Sequence, residues 1–200
     1  MEKWRVLGVV AGLCVVLGAC DSSPPPVVTE SPTGVPTVSP SPSLTASPSP
    51  SPTVLTSAEL LALLPANAGE ADVEGAVVTA EFFLEQYAPM FHSGDTRVWD
   101  ALSGPGCTYC TDASSNAKEV AQLGWVATGG EIAPDTSTQR GVLDGAERAV
   151  VKFHASFADA YLTKDSGAPE LQEAASTHEV FVELARSDGI WVVTGVMIDE

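Results

Sequence analysis

Apolar residues recur along this chain with two periods, and the change from one to the other divides it. Thr56-Ser57-Ala58-Glu59 ahead of Leu60, Leu61, Leu63 and Leu64 predicts a short helix with a capping box. The Thr56 side chain takes the Glu59 amide, the Glu59 carboxylate returns the bond, and Pro65 stops the helix. Val73, Ala76, Val77, Ala80, Phe83, Leu84, Tyr87 and Phe91 then follow the spacing i, i+3, i+4, i+7, with Glu74, Glu81 and Glu85 off the stripe. Pro89 predicts a kink or stop in the last turn, because it lacks an N–H and clashes with the preceding turn. Ser93-Gly94-Asp95 reads as a turn, and Thr96 to Leu102 as a second helix presenting Val98, Trp99 and Leu102. Ala113, Ala117, Val120 and Leu123 predict a third helix, with Thr111 or Asp112 as N-cap.

Beyond Gly129 the period falls to two. Ala149, Val151, Phe153, Ala155 and Phe157 alternate with Lys152, His154 and Ser156, as in a strand with one buried face. Thr177 to Leu184 gives another, with Val180, Val182 and Leu184 on one side. Ser187-Asp188-Gly189 is a hairpin signal, and Ile190 to Ile198 is the last strand, with Trp191, Val193 and Met197 expected on one face. A weaker strand or two is expected between Gly130 and Leu143. About three helices followed by a run of strands predicts a single α+β domain over 56–200, its helices packed on one face of a curved antiparallel sheet.

The first residues add a location. Lys3 and Arg5 precede an uncharged apolar run, Val6 to Leu17, too short to span a bilayer at ~20 residues. The shape is that of a signal peptide over 1–19. It ends in Leu17-Gly18-Ala19-Cys20, which resembles the bacterial lipobox, and this resemblance implies that Cys20 becomes the lipidated N-terminus, anchored to the outer face of the cell membrane. Ten of the fifteen prolines lie between Pro24 and Pro52, in a Ser, Pro and Thr-rich stretch without apolar periodicity. Residues 20–55 therefore read as a lipidated Cys and a disordered tether, able to reach roughly 100 Å at ~3.1 Å per residue if fully extended.

The chain carries 9 Lys and Arg against 26 Asp and Glu, a formal charge of −17. Such a balance repels nucleic acid and anionic headgroups, and it leaves the lipid anchor as the membrane attachment. It keeps the domain soluble and is compatible with a cationic partner.

The order helix, Gly-Asp turn, short helix, third helix and a meander ending in Gly189-Ile190-Trp191-Val192-Val193 resembles the nuclear-transport-factor-2-like (NTF2-like), or SnoaL-like, family, whose cystatin-like cone is closed by helices. More narrowly, Pro65-Ala66-Asn67-Ala68, Gly75-Ala76, Gly94-Asp95, Leu102-Ser103 and Gly106-Cys107-Thr108-Tyr109-Cys110 resemble an actinobacterial lipoprotein family with a domain of unknown function. The likeness covers Pro65 to Glu200. It implies a fold and supplies no activity.

Cys107 and Cys110 are the thiols left once Cys14 departs with the signal peptide and Cys20 is lipidated. A C-x-x-C serves as a redox centre, as half a zinc site or as a staple. A redox motif of the thioredoxin kind follows a strand, whereas here a helix and a Gly-Pro-Gly turn precede it. Zinc needs two further ligands, and His92, His154 and His178 are isolated. In an oxidising compartment the pair reads best as a structural disulfide that pins the loop before the third helix. Neither a cofactor motif nor a metal-ligand set is found. The NTF2-like resemblance also implies that Tyr87 matches the catalytic Tyr of ketosteroid isomerases. The matching carboxylate has no clear counterpart, Asp112 lying near the expected spacing but at a helix start. Tyr87, Trp99, Trp125, Phe153 and Trp191 are the candidates for lining a pocket.

Two function classes follow. One is a tethered envelope lipoprotein whose domain binds without catalysis, to an envelope protein or as a homodimer through the sheet face. The other is an enzyme or carrier that uses the cone interior for a small apolar ligand; a sealed apolar cone favours the first, an open cavity with convergent polar groups the second. The reading of the N-terminus is tested directly: Cys20→Ala should release the protein into the medium or leave it unprocessed. Mass spectrometry should find diacylglycerol on Cys20 of the membrane-bound form, and an unmodified Cys20 there would contradict it.

Overall fold

The computed structural model describes residues 54–199. The expected signal peptide, Cys20 and the tether as far as Thr53 lie outside the described residues. The capping box forms as its sequence implies. Thr56 Oγ1 accepts the Glu59 amide at 3.3 Å, Glu59 Oε2 accepts the Thr56 amide at 2.8 Å, and α1 (Ser57–Leu63) buries Leu60. Leu64 is already extended, as the residue before Pro65 must be. Asp72 caps α2 (Val73–Glu85) through the Gly75 amide at 2.8 Å.

The helical stripe expected to run to Phe91 is broken at Gln86, and α3 (Tyr87–Ser93) follows. The break falls one turn before Pro89 for a physical reason. Pro89 is the third residue of α3, where an N–H has no intrahelical acceptor to lose, and its ring clears the last carbonyls of α2. Gly94 ends α3 at φ 70°, a conformation open to glycine, and a Cβ there would stand 2.6 Å from that of Ala121. Next comes α4 (Arg97–Leu102). The helix expected to start from Thr111 or Asp112 starts earlier: α5 (Thr108–Gln122) has Cys107 as its N-cap, because Cys107 Sγ takes the Cys110 amide at 3.2 Å. With α1 and the divided stripe counted, the described residues hold five helices where about three were expected. None is long and apolar enough to cross a membrane.

The strands are β1 (Val126–Gly129), β2 (Ile132–Pro134), β3 (Arg140–Leu143), β4 (Arg148–Phe157), β5 (Ala160–Thr163), β6 (Glu170–Glu173), β7 (Ser176–Ser187) and β8 (Ile190–Ile198). The main antiparallel sheet runs β2-β4-β7-β8, with β3 also pairing β4. Val151 faces Val182 and Phe153 faces Val180, so the period-two residues share the buried face. Asp188 and Gly189, both at positive φ, make the tight β7–β8 turn. A bulge then pairs Glu183 with Gly195 but Leu184 with Val193, which skips Thr194 and reverses the alternation. Val196 and Ile198 therefore turn inward, and Met197, expected inside, is 56% exposed. A smaller sheet, β1-β5-β6, stands beside the helices and had no period-two signature.

The core lies between the main sheet and α2, α4 and α5. Phe83 stacks on Trp99 at 3.9 Å between centroids, while Trp191 and Phe153 are fully buried over the sheet. Each such side chain contributes about 2–3 kcal/mol through burial. Arg186 lies 5.2 Å over the Trp191 ring and donates to the Gly69 and Gly189 carbonyls, and Trp191 Nε1 donates to the Glu70 carbonyl at 2.8 Å. The α1–α2 connection is thereby tied to the end of the sheet.

Asp100 joins α4 to α5. It accepts from Thr96 Oγ1 at 2.8 Å, Ser114 Oγ at 2.5 Å and Lys118 Nζ at 2.9 Å. Burial pushes its carboxyl up, but these hydrogen bonds, led by that of Ser114, outweigh burial and hold it below the usual carboxylate range. A lowered folded pKa means that the charged form stabilises the fold above the unfolded pKa, near 4, and that this is lost as pH falls through the folded value. Asp100→Ala should cost about 1–2 kcal/mol at neutral pH by leaving the buried Ser114 and Thr96 hydroxyls unpaired. Thermal melts should show the gap from wild type narrowing between pH 6 and pH 3; a constant gap would contradict the assignment.

Candidate functional site

A cavity of about 460 Å³ opens between α3, α5 and the small sheet. Its helical wall is Tyr87, Ala88 and Phe91 from α3, with Tyr109, Asn116 and Val120 from α5. Ile132, Phe157 and Ile198, at strand ends of the main sheet, form the base. The third wall is Ala127 to Gly130, Ala160 to Leu162, Gln172 and Glu173. The volume is in the range of small-molecule sites, and the lining is mostly apolar, as such sites are.

Three local features place these residues. Tyr109 lies inside the Cys107–Cys110 ring, whose Cα atoms are 5.3 Å apart, so its backbone is held at the first turn of α5. The β5–β6 ladder slips between Ala160 and Tyr161, pairing them with Glu173 and Leu171. This irregularity brings the consecutive residues Gln172 and Glu173 to the cavity, although neighbours on a regular strand face opposite ways. Gly129, at φ 71°, passes so close to Asp159 that a Cβ would lie 2.0 Å from its carbonyl oxygen. His92 Nε2 donates to the Gly129 carbonyl at 2.9 Å and moors the small sheet to α3.

Two tyrosines stand next to each other on the helical wall of the cavity. The Tyr87 ring lies 6.4 Å from that of Tyr109 and 4.9 Å from that of Phe91. Burial, then the Glu173 charge, raises the Tyr87 hydroxyl pKa. Burial pushes Tyr109 up further, with Tyr87 and Glu173 adding to the effect. Both are neutral hydroxyls at physiological pH, able to donate and accept, and neither hydroxyl has a hydrogen-bond partner among the described residues. Among the described residues Glu173 is the one charged residue lining the cavity; no described Lys, Arg or His joins it.

Of the five candidates for a pocket, Tyr87 alone lines this cavity. Trp99 stands behind Tyr87, 5.9 Å away between centroids and fully buried, with Nε1 donating to the Cys110 carbonyl at 2.9 Å. Phe153 and Trp191 belong to the closed core, and Trp125 packs under Lys164 Nζ at 4.9 Å. Asp112 is exposed on α5 and does not line the cavity; the carboxylate that does is Glu173, on the exposed β6. His154 is exposed, and His178 Nδ1 donates to the Asp199 carbonyl at 2.9 Å. Cys107 and Cys110 are bonded and nearly inaccessible, at 2% and 0% exposure. Sequence reasoning missed Tyr109, Asn116, Gln172 and Glu173. Tyr109 had a signal, its place between two bonded cysteines; Gln172 and Glu173 had none.

The family profile described as a family of unknown function, DUF6318, matches residues 63–197, more than half of the chain. The chain belongs to the DUF6318 family. All cavity residues except Ile198 fall within the matched part. No curated protein matches the chain in sequence. Among solved structures it is similar to the intermembrane space region of the chloroplast protein ARC6, at 17% identity and TM-score 0.49, over 64% of this chain and 95% of that one. It is also similar to Aln2 from a Streptomyces species, at 14% identity and TM-score 0.41, over 63% and 90%. An NTF2-like protein with a cystatin-like fold from Novosphingobium aromaticivorans is similar at 11% identity and TM-score 0.38, over 72% and 88%.

The expected staple joins Cys107 and Cys110, and because α5 begins at Thr108 it closes the first turn of that helix around Tyr109. So small a ring constrains few unfolded conformations, and Cys107→Ser with Cys110→Ser should cost about 2 kcal/mol and leave the domain folded. Urea melts give the stability, and thiol labelling of the native protein should find neither Cys reactive. Ready labelling, with dithiol exchange near roughly −270 mV, would replace the staple by a redox centre.

Proposed function

We propose that the protein is an extracytoplasmic lipoprotein whose domain, an NTF2-like cone on a flexible tether, binds a small and largely apolar molecule without transforming it. The observation that carries this reading is the open, mostly apolar cavity with Tyr87, Tyr109 and Glu173 in its lining, the arrangement that separates a ligand site from a sealed core. The fold assignment is supported by the order α2, α3, Gly94 turn, α4, α5 and strands, and by the helices lying on one face of a bulged antiparallel sheet. The lipobox-like Leu17-Gly18-Ala19-Cys20 after an uncharged apolar run, and the Pro-rich stretch behind it, support a role near the membrane, where apolar molecules are met.

Binding is favoured over interaction through the sheet face because the cavity has unspent hydrogen-bonding capacity. Two half-buried tyrosines present hydroxyls there without protein partners among the described residues, and the exposed Glu173 carboxylate adds an acceptor, so a ligand can supply the missing hydrogen bonds. The neutral fluorophore N-phenyl-1-naphthylamine tests the reading. It should bind the chain saturably at one site, and Ala127→Trp, which fills the cavity from β1, should abolish the signal while the melting temperature stays within a few degrees. Unsaturable binding, or equal binding by the Ala127→Trp variant, would contradict the proposal.

A further inference from the structure

We infer that the cavity selects an organic cation: an amphiphile whose apolar body fills the space between α3, α5 and the small sheet and whose ammonium head meets Glu173 and the two tyrosines. The inference rests on the cavity being a ligand site and names the class of molecule it takes. Glu173 provides the first reason. Among the described residues it is the one formal charge lining the cavity, and its carboxylate has neither an ion pair nor a hydrogen bond there. Lys164, just beyond β5, is engaged elsewhere, 3.5 Å from Glu170 and over the Trp125 ring.

The second reason is the aromatic content. Tyr87, Phe91, Tyr109, Phe157 and Tyr161 all line the same space, and ring faces carry the negative potential that attracts a cation. The third is the direction of the available hydrogen bonds. An ammonium donates only, and the Glu173 carboxylate and the Tyr87 and Tyr109 oxygens all accept. A carboxylate or phosphate ligand would instead meet Glu173 with no cation to offset the repulsion, in a chain of formal charge −17. The Tyr87 and Tyr109 rings stand 6.4 Å apart between centroids and line the same cavity as Glu173.

Three probes with one apolar body test this: 4-phenylbutylammonium, 4-phenylbutanol and 4-phenylbutyrate, titrated calorimetrically into the full chain carrying Cys20→Ala so that no detergent is needed. The ammonium should bind about tenfold more tightly than the alcohol, and the carboxylate more weakly than either. Glu173→Gln, an exposed edge-strand change, should remove the preference, so that within this variant the ammonium binds no more tightly than the alcohol. Equal affinities for the three probes, the carboxylate binding best, or a preference that survives Glu173→Gln would overturn the inference while the cavity remains a ligand site. Failure of all three probes together with N-phenyl-1-naphthylamine would overturn the ligand site itself, and the inference with it.

Discussion

Trp99 is a large apolar body with one N–H, and once buried that N–H must find an acceptor. It finds the Cys110 carbonyl, in the first turn of α5, at 2.9 Å. The ring that makes this bond also stacks on Phe83 from α2 and packs against Tyr87 from α3 and Tyr109 from α5. One side chain therefore fixes where three helices meet and which way both tyrosines face. The disulfide acts at the same turn, closing Cys107 and Cys110 around Tyr109. Stability comes mainly from the aromatic and aliphatic burial; the staple and the indole bond supply position.

The cavity exists because the small sheet does not fill its side of the molecule. Close packing is the rule where large side chains interdigitate, as they do around Trp99 and Trp191. On and beside β1 and β5, Ala127, Gly129, Gly130, Ala158 and Ala160 line this wall, and their small side chains leave the space next to α3 and α5 open. The space left is rimmed by tyrosine hydroxyls and one carboxylate. Such a site is shaped by backbone placement more than by any single large residue.

This division explains what the sequence made legible. Ala149 to Phe157 and Thr177 to Leu184 are buried on one face only, so their alternation announced β4 and β7, and the Asp188-Gly189 pair announced the hairpin. The helical stripe from Val73 was legible too, up to the break imposed ahead of Pro89. The small sheet was not. Glu170 to Glu173 is exposed at every position and β5 is half-buried at every position, so neither carries a period. Bulges hid the rest: the skip at Thr194 sent Met197 outward, and the slip beside Ala160 placed Gln172 and Glu173 on the cavity side. Aromatic residues were read as pocket candidates by type alone. Burial by the main sheet claimed Phe153 and Trp191, and Tyr109 was passed over as the spacer of a cysteine motif.

The positioning of Tyr109 by the stapled first turn of α5 is open to direct observation by NMR of the protein with ring-labelled tyrosines. In the oxidised state the Tyr109 ring should show nuclear Overhauser contacts to the rings of Tyr87 and Trp99, and reduction of the disulfide should weaken them while the contacts between Phe83 and Trp99 persist. A Tyr109 ring that lacks contacts to Tyr87 in the oxidised protein, or whose contacts are unchanged on reduction, would contradict it.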